Sequence, residues 1–239
     1  MGIGVAAMVD ELAVLTREEC TFWSQKVITC HSLWRRRVRG IDYYSLGISY
    51  DVLSRHGGFS QDWKNSILRN NQEMCDAFDG LYKKVSGSFA NFFGKPISLS
   101  KYLAVPGFNV FGSRPGSKPA FFNSVFFENG GNIHNHPTPD WMHEALGMSE
   151  REVPSIIYSF TIPLRLPELG SGLNVWPSED ISGPPSFLSY SEGIAYGFRG
   201  DLMHQVPPVR SYQKIASNEC RITMQNHFLE LEDCVIMFF

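Results

Sequence analysis

The sequence predicts an α+β chain that is mainly β: a double-stranded β-helix, or jelly roll, carrying a helical N-terminal layer. Three observations predict it. Apolar residues before position 95 recur at helical spacing. After it, short apolar runs alternate with Gly/Pro/Ser/Asn clusters, the pattern of many short strands joined by turns. All 14 prolines fall in this second part, where turns have use for them.

Taken in order, a first helical stretch is predicted over residues 17–37. The segment "DYYSLGISYD" that follows is a connector of no assigned form. A second helix is predicted over 62–93, where Trp63, Ile67, Met74, Phe78, Leu81, Val85, Phe89 and Phe92 share one face. Gly94 and Pro96 stop it, as a helix C-terminus requires. Strand-like runs then cover 103–111, 121–127, 155–166, 172–176, 193–198 and 221–229, separated by clusters such as "GSRPGSKP" and "SGPPS". No linker-like stretch divides the chain, which predicts a single domain over 1–239, with a helical layer in 1–95 and the barrel in 96–239.

Composition narrows the function. A net charge of −3 over 239 residues gives no electrostatic reason for nucleic acid or an anionic membrane to bind. The basic run "WRRRVR" at 34–39 reads as a solvated helix face. Five scattered cysteines without a CxxC argue against a disulfide framework or a thiolate zinc site, and for a reducing cytoplasmic setting. The N-terminal "MGIGVAAMVDELAVL" lacks a basic region, and Asp10 and Glu11 interrupt its apolar stretch, so neither a signal peptide nor a membrane span is expected. The expected partner is a small molecule, taken by a monomer or homodimer.

The chemistry concentrates in "GGNIHNHPTPDWMHEAL" at 130–146. In an extended strand, side chains at i and i+2 leave from one face, roughly 6.5–7 Å apart. His134 and His136 therefore point toward one ion, and His204, in "FRGDLMHQVPP", is the candidate third ligand. Imidazole suits iron, zinc, copper or nickel, and a facial set with open positions suits non-haem iron(II). In "ECRITMQNHFLE", Arg221 and Thr223 alternate with Ile222 and Met224 and so share a face. An arginine directed into a barrel is costly unless it meets an anion. A dicarboxylate co-substrate satisfies it, with Thr223 adding a hydrogen bond.

The order His-x-ligand, then "GDLMHQVPP", then "RITMQNH" resembles the jelly-roll iron(II)/2-oxoglutarate-dependent oxygenases, most closely their bacterial small-molecule hydroxylases, over residues 43–230. The resemblance implies an O2-consuming dioxygenase of small-molecule biosynthesis that hydroxylates its substrate by default. It implies His134 and His204 as iron ligands and Arg221 with Thr223 as the 2-oxoglutarate clamp, Arg210 and Lys214 being weaker candidates. Tyr102, Asn109 and Asn123 fall on early barrel strands, where this family places polar contacts to co-substrate or substrate.

The sequence departs from the family at position 136, where His stands for the usual Asp or Glu. Three readings follow: His136 binds, giving a three-histidine site; Asp140 reaches back across the "PTP" turn; or the position stays open. The i, i+2 spacing favours the first. A second resemblance, of 131–140 to a first cupin motif, implies a three-histidine dioxygenase that needs no 2-oxoglutarate, but leaves Arg221 without a task. A non-enzymatic jelly-roll binding protein is the remaining alternative. His143 reads as a bystander on a short helix, and His227 as a hydrogen-bond partner at the barrel end. Arg114 and Lys118 offer charge in a loop. No residue run specifies the substrate.

Overall fold

The computed structural model describes residues 9–37, 42–49, 59–112, 131–167, 171–177, 181–207 and 220–239. The predicted strand at 121–127, with Asn123, Arg114, Lys118, Arg210 and Lys214, lies outside them.

Helix α1 spans Arg17–Thr29. Thr16 caps it: its hydroxyl accepts from the Glu19 N–H while the Glu19 carboxylate accepts from the Thr16 N–H, so two otherwise unsatisfied donors are met reciprocally. The predicted helix to 37 ends early. A single 3-10 turn, His31–Leu33, follows, and Arg35–Arg36 form strand β2. Arg35 and Arg36 of the basic run thus form a short exposed edge strand, not a helix face. Helix α2 spans Gln61–Phe93, with Ser60 as N-cap and Gly94 at φ 65° as the left-handed C-cap. Ile67, Met74, Phe78, Leu81, Val85 and Phe89 form its buried face as predicted, whereas Phe92 remains 39% exposed.

The larger sheet runs β1 (Asp10–Ala13), β9 (Ile194–Arg199), β6 (Tyr158–Arg165), β11 (Arg221–Glu230), β5 (Gly107–Phe111), β3 (Tyr43–Leu46) and β2, with β12 (Val235–Phe238) and β4 (Ile97–Leu99) joined off β11. Three strands of the N-terminal part therefore complete the sheet, which its helical periodicity did not foretell. The smaller sheet is β10 (His204–Gln205), β7 (Gly172–Val175) and β8 (Ser186–Ser189), extended by an antiparallel bridge between His134 and His204. Two facing sheets, mostly antiparallel, make the jelly roll.

Period-two alternation divides β11 between two environments. Ile222, Met224 and Phe228 face the helices, and they share a core cluster with Phe78, Val85 and Phe89 of α2 and Val27 of α1. Rings cement the layers, with Phe89 4.4 Å from Phe228 and 4.8 Å from Phe160 between centroids. On the opposite side, Leu173 and Val175 of β7 pack with Tyr190, Tyr196 and Phe198 to close the barrel. Among the described residues, no helix is long and apolar enough to cross a membrane.

Candidate metal and co-substrate site

His134, His136 and His204 converge: a ligand atom of each lies within 4.8 Å of the others'. The main chain sets this arrangement. The His134 N–H donates to the His204 carbonyl (3.0 Å) and the His204 N–H to the His134 carbonyl (2.9 Å), pairing the two residues across the small sheet. The His136 N–H donates to the Gly200 carbonyl, pinning the next turn of the loop to the end of β9. Gly200 permits that approach, since a Cβ there would come under 3.0 Å from the His136 carbonyl and from Ile157.

The tautomers follow from the same bonds. His134 Nδ1–H donates to the Asn132 carbonyl (2.8 Å), and His204 Nδ1–H to the Leu202 carbonyl (2.9 Å). In both rings Nε2 is then the unprotonated nitrogen, the form a metal needs. His136 Nε2–H donates to that free His204 Nε2 (3.1 Å), so the proton between the two rings is the one a metal would displace. Burial, then the neighbouring imidazoles of His227, His204 and His134, hold His136 well below the ordinary histidine range. Burial likewise pushes His204 down to about 3, with His134 assisting and the Leu202 carbonyl opposing. These two rings are neutral near pH 7. Neutral imidazoles converging on one point fit a borderline divalent cation such as iron(II).

Asp140 is exposed and stands outside this cluster; its carbonyl accepts from His143 Nδ1 (2.6 Å) in the turn that starts helix α3 (Met142–Leu146). His143 likewise lies outside the cluster. Tyr102 sits in the turn before β5 rather than on a strand, edge-on to Phe59 (6.0 Å) and with Lys64 5.7 Å above its ring.

The barrel interior carries the second half of the site. Arg221, Thr223, Gln225 and His227 line one face of β11, opposite Phe111, Asn109 and Gly107 of β5 and, for His227, Ser159 of β6. Arg221 is only 8% exposed, and its guanidinium lies 5.0 Å from the Phe111 ring centre and 5.6 Å from that of Tyr190. Its Nε has no hydrogen-bond partner among the described residues. Burial lowers the arginine's proton affinity and raises that of Tyr190, which the Arg221 charge and a hydrogen bond with Thr161 partly offset. Beside it, Tyr43 donates to Asn109 Oδ1 (3.1 Å) and Asn109 Nδ2 donates to Gln225 Oε1 (2.9 Å), a satisfied polar wall. A buried cation with an unmet donor calls for an anion.

His227 is the residue whose place sequence reasoning missed. The expected hydrogen bond exists, between Ser159 Oγ and His227 Nδ1 (2.9 Å), but the ring also lies 4.7 Å from that of His136. The even spacing from Arg221 carried the signal, because it puts both on one strand face.

Comparison of the structure with solved ones finds the same architecture. The non-haem α-ketoglutarate-dependent epimerase SnoN from nogalamycin biosynthesis aligns at TM-score 0.50 and 10% identity, covering 93% of this chain and 80% of that one. The carbocyclase SnoK of the same biosynthesis also aligns at TM-score 0.50 and 10% identity, over 93% and 79%. The chain has the fold of these two proteins. An N-substituted L-amino acid dioxygenase from Burkholderia ambifaria AMMD, solved with α-ketoglutarate, aligns at TM-score 0.47 and 12% identity over 97% and 86%. By sequence, no protein-family profile and no curated protein matches.

Proposed function

We propose that the protein is a non-haem iron(II)/2-oxoglutarate-dependent oxygenase acting on a small molecule, with iron held by His134, His136 and His204. The observation that carries this reading is the convergence of three imidazoles, their ligand atoms within 4.8 Å of one another, in a jelly roll whose interior holds a buried arginine with a donor unmet among the described residues. The proteins whose structures resemble it, SnoN and SnoK, are described as α-ketoglutarate-dependent, which agrees with that donor set.

Each residue then has a task. His134 and His204, with Nδ1 protons fixed on backbone carbonyls, present Nε2 without reorganisation. His136 takes the position where the family places a carboxylate, so the site carries one more positive charge. Arg221 takes the distal carboxylate of 2-oxoglutarate in a fork, and Thr223, buried two residues on, adds a hydroxyl. Phe111 and Tyr190 exclude water around the ion pair. When bound, iron and 2-oxoglutarate supply the oxidant: O2 delivers one oxygen atom to a C–H bond and the other to succinate, with release of CO2. Hydroxylation is the default outcome.

Anaerobic titration with iron(II), with and without 2-oxoglutarate, tests the reading. A visible charge-transfer band that needs both, and disappears in His204→Ala, is expected, as is succinate formation under O2. Iron binding with O2 uptake but no band and no succinate would favour the three-histidine dioxygenase that dispenses with 2-oxoglutarate. Metal bound with no O2 consumption would refute enzyme function.

A further inference from the structure

Arg221 belongs to a chain of stacked groups that joins the two sheets. Tyr43 of β3 lies flat on Phe111 of β5, with centroids 4.3 Å apart and planes at 7°. The Arg221 guanidinium comes next, over the ring of Phe111 at 5.0 Å and over that of Tyr190 at 5.6 Å. Tyr190 is stacked in turn on Tyr196 of β9, at 4.7 Å and 20°. Both tyrosines are buried, and their places are fixed by main-chain bonds. The Tyr190 N–H donates to the Ser171 carbonyl (2.9 Å), prolonging the ladder of β7 and β8, and the Ser191 N–H donates to the Tyr196 hydroxyl (2.9 Å). Among the described residues no carboxylate pairs with Arg221, and its Nε has no hydrogen-bond partner.

We infer that Tyr190, together with Phe111, is the positioning residue for Arg221: the two rings hold the guanidinium over their faces in the empty barrel and leave its N–H donors for the distal carboxylate of the co-substrate. This rests on the proposed 2-oxoglutarate reading. A carboxylate or carbonyl partner would hold the arginine by occupying those same donors. An aromatic face attracts the cation and uses none of them. The two rings reach it from different sheets, Phe111 from β5 and Tyr190 from the end of β8, so closure of the jelly roll itself orders the side chain. An arginine left free among its rotamers would have to be ordered when the ligand arrives, at a cost of about 2–13-fold in affinity for one long side chain.

The test uses the full chain loaded with cobalt(II) under argon, titrated with 2-oxoglutarate and, separately, with 2-oxopentanoate. The second acid has the same chelating end and chain, with a methyl group in place of the distal carboxylate. Tyr190→Phe keeps the ring and removes the hydroxyl, whereas Tyr190→Leu removes the ring. Phe111→Leu removes the ring of the larger sheet and serves as the second arm where Tyr190→Leu does not fold, which metal-free melting curves establish. The expected result is about tenfold weaker binding of 2-oxoglutarate in the folded leucine variants, with 2-oxopentanoate and cobalt(II) within about twofold of wild type. Tyr190→Phe should bind 2-oxoglutarate within about twofold of wild type, because the ring suffices. Undiminished 2-oxoglutarate affinity in a folded leucine variant would overturn the inference alone. So would equal losses in Tyr190→Phe and Tyr190→Leu, which would make the hydroxyl the active group, or equal losses for the two acids, which would make general packing the cause. A wild-type chain that binds cobalt(II) but does not prefer 2-oxoglutarate to 2-oxopentanoate would overturn the clamp reading itself, and the inference with it.

Discussion

Replacing Arg221 with methionine should make the apo protein more stable and at the same time insensitive to 2-oxoglutarate. The guanidinium is 8% exposed, and its Nε lacks a hydrogen-bond partner among the described residues. Desolvating such a charge costs several kcal/mol. The contacts that offset it are the faces of Phe111 at 5.0 Å and Tyr190 at 5.6 Å, each worth roughly 1–2 kcal/mol to a desolvated cation. Methionine fills similar volume and keeps a favourable sulfur contact with the same rings. Exchanging a buried charge for a well-packed apolar side chain stabilises by about 1–4 kcal/mol in such settings. Subtracting part of the ring contacts leaves about 1–3 kcal/mol. At about 2–4 °C per kcal/mol for a chain of this size, the variant should melt roughly 2–12 °C higher. Wild type, in contrast, gains about 2.7 kcal/mol from 2-oxoglutarate at a hundredfold its Kd, because ligand that binds only the folded state stabilises it. Thermal melts of both proteins, metal-loaded under argon and with or without 2-oxoglutarate, separate the cases. A variant destabilised by more than about 2 kcal/mol would show that the arginine is already satisfied in the empty barrel. A variant still stabilised by 2-oxoglutarate would place the clamp elsewhere.

Three further outcomes follow from the packing. Gly200→Ala should weaken metal binding at least tenfold while the sheets persist, because a Cβ collides with the carbonyl of His136; equal cobalt(II) affinity would show that the loop adjusts freely. Phe89→Ala removes a fully buried ring that touches Phe160 and Phe228, and should cost about 3–5 kcal/mol in denaturant unfolding, whereas Phe22→Ala, at a position 61% exposed, should cost under about 0.5 kcal/mol. A small loss for Phe89→Ala would deny that α2 is cemented to the sheet. Cys20 is raised to about 12, chiefly by burial and then by Glu192 and Glu19. The unfolded thiol ionises near its ordinary value and the folded one does not, so its stabilising effect is complete below about pH 9 and is lost as pH climbs toward 12. Wild type should therefore lose about 1.4 kcal/mol more per pH unit above 9 than Cys20→Ala; parallel stability curves for the two would refute the burial argument.

The parts of the fold legible in sequence were those governed by local rules. Helix α2 declared itself through a face repeated from Ile67 to Phe89 and a glycine stop at Gly94, and the structure places its ends within one residue of the expected ones. Arg221 and Thr223 declared themselves by alternation with Ile222 and Met224. Strands β1, β2 and β3 were not legible, because each is a short edge or near-edge element of two to four residues whose existence depends on a partner far along the chain. Arg35 and Arg36 carry no strand signal; Ser45 and Tyr44 across from them supply it. Tyr102 was misplaced for a related reason. The apolar run 103–111 reads as one strand, but only Gly107–Phe111 finds a ladder, and the first part is a buried approach to it.

His227 shows what a one-dimensional reading leaves out even when the face is known. Alternation assigns it to the barrel interior with Arg221, yet its neighbour His136 belongs to a loop that no periodicity places. Two independent constraints bring them together: the His134–His204 pairing, which sets the height of the loop on the small sheet, and Gly200, which sets its depth. Both are backbone conditions, and neither involves the ligand nitrogens. The ring of His136 thus meets a second imidazole carried by the sheet opposite, 4.7 Å away. Substituting aspartate at 136 would put a carboxylate against the buried ring of His227. Measured as cobalt(II) affinity, His136→Asp and His227→Phe should be strongly non-additive, the loss in the double variant falling short of the two single losses combined. Strict additivity would mean that the two rings, 4.7 Å apart, do not act on each other.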